Sequence, residues 1–159
     1  MTPLAWLIGL FLPACGQFGA AGLPVPPVMD MASIQRPASP NTALAAPPSF
    51  LPVPDVETGV YTLSATKLYE SILAVASAQP RTFPAAAYPD HLQVHFVARS
   101  ALFNFPDLIA IQAQPVGPDA GTLAIWSRSV YGHSDLGANR KRVLALLASL
   151  SAQAPLKAP

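Results

Sequence analysis

The sequence predicts an α+β fold: an antiparallel sheet in the element order β-α-β-β-β-α, with two helices packed on one face. Three observations carry this. Residues 64–79 and 135–151 repeat apolar side chains at helical spacing. Three runs between them read as strands, alternating their side chains between two faces. Turn-forming stretches separate those runs, so consecutive strands pair antiparallel. The chain has 159 residues, 52% hydrophobic and 11% charged, which is enough for one such unit over residues 59–152.

The elements follow in order. Residues 60–63, Val-Tyr-Thr-Leu, have strand-forming side chains. Ser64 is placed to cap a helix whose buried stripe is Leu68, Tyr69, Ile72, Val75 and Ala76. Gln79 ends it, because the residue before Pro80 is pushed out of the helical region. Leu92, Val94, Phe96 and Ala98 then alternate with His91, Gln93, His95, Val97 and Arg99. Residues 107–114 form the next strand, with Ile109 and Ile111 on one face. Residues 115–121 read as a turn. Residues 122–130 form the last strand, with Leu123 and Ile125 on one face and Trp126 and Arg128 split from them by parity. Asp135 is expected to cap a helix over 136–151 with the stripe Leu136, Val143, Leu144, Leu147 and Leu150. The sheet face away from the helices, carrying His95, Arg99, Trp126 and Arg128, is expected to meet water.

Nine of the 19 prolines fall between Pro24 and Pro54. That density opposes helix and central strand. Residues 16–58 are therefore expected to be a flexible linker, spanning about 40 Å as a coil and up to about 130 Å as polyproline II. Residues 153–159 read as a tail.

Cys15 is the only cysteine and ends the run Leu12-Pro13-Ala14-Cys15 after an apolar stretch that starts at Leu4. The run resembles the lipobox of bacterial lipoproteins, although the first charged side chain is Asp30 and a basic leader is missing. The resemblance implies a signal over residues 1–15, lipidation of Cys15, and an exported protein held by a lipid anchor on the periplasmic side of the cell envelope. The apolar run is far short of the roughly 20 residues that span a bilayer. One cysteine excludes an intramolecular disulfide. A net charge of +1 argues against nucleic acid.

The meander brings Arg99, Asp107, Ser127, Arg128, Ser129, Ser134, Asp135, Asn139 and Arg140 to one end of the sheet. Arginines near a helix N-terminus can bind an anion. The same residues can equally be a scaffold in which arginines pair with Asp107 and Asp135. His91 and His95 would lie about 13 Å apart along a strand, too far to share a metal ion. His133-Ser134-Asp135 has triad residue types, but sequence neighbours do not face one another as a triad requires. No phosphate loop, zinc spacing or dinucleotide fingerprint occurs, so no cofactor is expected. Phe103 and Phe105 flank a hairpin and are expected to pack as core.

Arg99-Ser100, Phe105-Pro106-Asp107, Ser127-Arg128-Ser129 and the run Ser134-Asp135-Leu136-Gly137-Ala138-Asn139-Arg140 together resemble the bacterial and plastid family called "domain of unknown function 1499". The resemblance implies a small exported or membrane-associated domain and supplies no reaction. Three functions are compatible with the residues. The first is a lipid-anchored module that binds an envelope protein without chemistry. The second is a binder of a small anionic ligand or lipid headgroup at the arginine end. The third is an envelope enzyme using Asp107 or Asp135.

Overall fold

The computed structural model describes residues 2–24 and 26–157. It has α1 (Pro3–Gly9), β1 (Thr42–Ala46), β2 (Val56–Glu57), α2 (Ala65–Ser77), β3 (Thr82–Tyr88), β4 (Gln93–Arg99), β5 (Pro106–Gly117), β6 (Ala120–Ser129) and α3 (Ala138–Ser151). The six strands form one sheet in the order β2-β1-β6-β5-β4-β3. Only β1 and β2 run parallel; every other pair is antiparallel. This is the α+β class, with α2 and α3 on one sheet face.

The helix-covered face follows the period-2 pattern. Phe96, Ile109, Ile111, Leu123 and Ile125 pack against Leu68, Ile72, Val143, Leu146 and Leu150 in one continuous core. Ser64 caps α2, its Oγ accepting from Lys67 N at 3.4 Å. The helix ends at Ser77, just before Pro80.

Residues 42–58 depart from the flexible linker expected of 16–58. Prolines flank β1 and β2 but do not interrupt them. Ala43, Leu44, Ala45 and Ala46 are fully buried, and β1 pairs along β6 from Thr42↔Arg128 to Ala45↔Ile125. Asp55 holds the connection from β1 to β2. Its Oδ2 accepts from Leu44 N at 2.8 Å and from Arg36 at 2.6 Å. The alanine-rich sequence of this strand carries no β signal.

Two further strand assignments change. Thr82–Tyr88 is an edge strand, where Pro84 is tolerated beside a bulge at Pro84/Ala86. Residues 60–63 form no strand; Tyr61 alone bridges to Gly121 and to Leu156. That second bridge draws the C-terminal tail back onto the domain, with Lys157 N donating to Val60 O at 2.7 Å.

The face expected to meet water is covered. Residues 14–24 and 26–34 run across it. Met31 and Ile34 pack with Leu44, Ala46, Ala110, Ala124 and Trp126 in a second cluster, leaving Trp126 only 3% exposed. Phe103 and Phe105 are half-buried and 5.4 Å apart by ring centroid.

Candidate functional site

The strand register puts the predicted polar residues at one end of the sheet but on both of its faces. Asp107 lies opposite Ala98 and Ser129, and Ser127 lies opposite Ile109, all on the helix side. Arg128 lies opposite Leu108 and Thr42 on the other side. Arg99, one residue beyond Ala98, shares that other side with Arg128.

On the helix side, Asn139 is the hub. It is fully buried in the first turn of α3. Its Nδ2 donates to Ser129 Oγ at 2.9 Å, Asn41 O at 3.0 Å and Asp135 Oδ2 at 2.8 Å. Its Oδ1 accepts from Ser127 Oγ at 2.5 Å and Arg142 Nη1 at 2.8 Å. Arg142 Nη2 then pairs with Asp107 Oδ2 at 2.7 Å, with both side chains largely buried. Arg142 was not among the residues picked from the sequence. It sits three residues after Asn139, one helical turn on, and that spacing was the available signal.

Arg140 is exposed and takes no part in this network. Ser134 is also exposed; its Oγ accepts from Leu136 N at 3.3 Å.

Helix α3 starts two residues later than predicted. Gly137 adopts the left-handed region at φ 78°, and Leu136 is 88% exposed rather than part of the stripe. Leu144 is 41% exposed, and Leu146 takes its place in the core. Asp135 still serves the helix start: its carboxylate accepts from Gly137 N at 2.9 Å and Asn139 N at 2.7 Å. Burial pulls the Asp135 carboxyl up, but these donors outweigh it and hold it below the ordinary carboxylate range. Asp135→Ala should lower stability by about 1–2 kcal/mol in urea unfolding at pH 7; an unchanged midpoint would detach Asp135 from the start of the helix.

On the other face, the polar side chains bind main chain. Gln93 holds Met29 at two points, its Oε1 accepting from Met29 N and its Nε2 donating to Met29 O, both at 2.8 Å. Tyr88 donates to Pro26 O at 2.9 Å. Arg99 donates to the carbonyls of Ala14, Gly19 and Ala21, and Asn104 to those of Cys15 and Gln17. Residues 14–24 and 26–29 are thus held across the face by side-chain-to-backbone hydrogen bonds.

Beneath this segment lies a crevice of about 10 Å³, room for about one water, bordered by His95, Trp126, Arg128, Leu23, Pro26 and Met29. His95 is 2% exposed. Its Nε2 lies 2.8 Å from Gln93 Oε1, an acceptor, so Nε2 carries the proton and Nδ1 is left without a partner among the described residues. Burial pushes the His95 imidazole below its ordinary range. The unfolded chain therefore takes up the proton first: stability is complete above about pH 6.5 and falls as the pH drops below it. The expected loss is up to about 1.4 kcal/mol per pH unit, and His95→Leu should flatten it. A slope between pH 7 and 5 that survives His95→Leu would assign the loss to another group.

Among the described residues, no three His, Cys, Asp or Glu side chains converge as metal ligands would, and no helix is long and apolar enough to cross a membrane. Fold and site together define a small α+β domain wrapped by its own N-terminal segment and braced at one sheet end by a polar scaffold.

The chain belongs to the family described as "Protein of unknown function (DUF1499)", whose model matches residues 34–150. No curated protein matches it. Among solved structures, the di-domain ARO/CYC BexL from the BE-7585A biosynthetic pathway is similar at 11% identity and a TM-score of 0.45, over 60% of this chain and 44% of that one. A DUF4468 family protein from Bacteroides ovatus ATCC 8483 is similar at 11% identity and a TM-score of 0.27, over 49% of this chain and 56% of that one. The chain thus spans about half the length of each, and at these scores the likeness carries no argument.

Proposed function

We propose that this protein is a lipid-anchored module of the bacterial cell envelope, exported and held at the membrane through Cys15, that binds a partner protein and performs no chemistry. The observation that carries the binding role is the sheet face bearing Gln93, Arg99 and Trp126. It is equipped to hold a polypeptide by its backbone carbonyls and amides, and residues 14–24 and 26–29 already lie there in that manner. The carboxylates offer little to an enzyme: Asp107 is engaged by Arg142, and Asp135 by two backbone N–H groups and Asn139. An anion-binding reading keeps support from Arg128, which borders a cleft with Ser39, Thr42 and Ser129.

Before processing, the Cys15 thiol is buried beneath α1, whose Gly9 packs on Gly16. Burial pushes that thiol up, against a smaller lowering by Arg99. Lipidation must then precede docking of this segment, because the thiolate is the nucleophile and must be reached. Intact-mass analysis of membrane-extracted protein should find residues 1–14 absent and a diacylglyceryl group on Cys15. Cys15→Ala should release the protein from the membrane fraction; a mature chain that retains Met1 would end the anchor reading. The binding role is tested by photo-cross-linking in cells. A probe at Val53, exposed beside the Trp126 face, should give a discrete protein adduct, and one at Lys141 on α3 should not.

A further inference from the structure

We infer that Arg99, braced by Asn104, is the receptor for an N-acylated mature N-terminus, its guanidinium binding the acyl carbonyl on the Cys15 nitrogen; this rests on the lipid-anchor reading above. Arg99 is 4% exposed, and no carboxylate among the described residues pairs with it. Its donors go to carbonyls: Gly19 at 2.8 Å, Ala21 at 3.0 Å, Asn104 at 3.2 Å, and Ala14. Asn104 Nδ2 donates to Cys15 O and Gln17 O, both at 2.8 Å. Arg81 orients that amide by donating to its Oδ1 at 2.8 Å. Two side chains of the domain therefore grip five carbonyls around the cysteine. A buried cation is tolerable only while its donors stay satisfied.

Processing disturbs this site in one place. The Ala14 carbonyl that Arg99 binds is bonded to the Cys15 nitrogen. Hydrolysis adds water across that bond. Ala14 leaves as a carboxylate with residues 1–14, and Cys15 keeps a free amine. Arg99 loses an acceptor. It gains instead a neighbouring ammonium, since an α-amine is mostly protonated at pH 7.

N-acylation reverses both changes. The amine attacks an ester carbonyl of a phospholipid, the new C–N bond forms, the ester C–O bond breaks, and the proton leaves with the released alcohol. The resulting amide carbonyl is bonded to the Cys15 nitrogen as the Ala14 carbonyl was. Departure of residues 1–14, α1 among them, meanwhile uncovers Cys15 and Gly16, and the thioether-linked lipid can leave the domain there. The anchor is then fixed at the Arg99 end of the sheet instead of trailing from a free tether, and the domain is oriented on the membrane.

The test compares the lipidated chain from hosts with and without phospholipid-dependent N-acyltransferase activity, by hydrogen exchange of the Gly16–Ala21 amides. Intact mass is read first; a chain without lipid, or with residues 1–14 retained, removes the anchor reading itself. Given diacylated and N-acylated forms, the N-acylated form should exchange about tenfold more slowly, the worth of one hydrogen bond to a charged group. Arg99→Gln should erase the difference. Equal exchange in the two forms overturns the inference and leaves the anchor standing. A difference that persists in Arg99→Gln overturns the assignment to Arg99. The comparison of the two natural forms needs no substitution, so equal exchange overturns the inference even if Arg99→Gln fails to fold, and Asn104→Ala, which removes the brace, then takes its place as the variant that should erase the difference.

Discussion

A chain that begins at Gly59 should show no cooperative unfolding transition. It keeps both helices and β3 to β6 but loses β1, β2 and the covering segment. Ala43 and Ala45 leave the main core, and Leu44 and Ala46 leave the second. β6 becomes an unpaired edge, and Trp126 is stripped of Met31 and Ile34. Small domains have little stability to spare, commonly 5–15 kcal/mol, and an exposed apolar edge invites aggregation. Urea titration followed by circular dichroism and Trp fluorescence is the measurement. A chain that begins at Ile34 keeps β1 and should still unfold cooperatively, with Trp126 emission shifted to the red. A sharp, reversible transition in the Gly59 chain would show that β1 is dispensable.

Arg142→Ala should cost about 3 kcal/mol or more, the effect expected when one partner of a largely buried ion pair is removed. Asp107 would lose its ion-pair partner, and Asn139 Oδ1 and Ser127 Oγ would each lose a donor. Removing Asp107 as well should recover part of the loss, since the double variant leaves no orphaned carboxylate. Equilibrium unfolding of both single variants and the double variant checks this. Additive effects, or a loss below about 1 kcal/mol in Arg142→Ala, would reduce the pair to a surface contact.

The polar end was partly legible in the sequence. Parity and the turn at 115–121 sufficed to bring Asp107, Ser127, Ser129, Asp135 and Asn139 to one end of the sheet. Parity also put Arg99 and Arg128 on the face away from the helices, where the register has them, so the sheet separates them from Asp107 although all lie at one end. Neither parity nor the turn selected Arg142 over Arg140. Helix phase decides that choice, and the phase depended on where α3 begins: at Ala138, after the left-handed Gly137, and not at Leu136.

By itself the sequence determined the helix-facing core. Phe96, Ile109, Leu123 and Ile125 recur at period 2, and Leu68, Ile72, Val143 and Leu150 at helical period. These patterns are local, so neighbours in the chain are enough to read them. The capping of α2 by Ser64 is local in the same way. Tertiary structure alone decided the second face. Thr42–Ala46 is a strand because β6 offers it an edge, its three alanines having no preference for a strand. Residues 14–24 and 26–29 lie across the sheet because Tyr88, Gln93, Arg99 and Asn104 reach their backbone from 62 to 89 positions away. Hydrogen bonds to a main chain leave no pattern in the side chains of the segment they hold, and that is why a proline-rich stretch read as a tether is a wall of the domain.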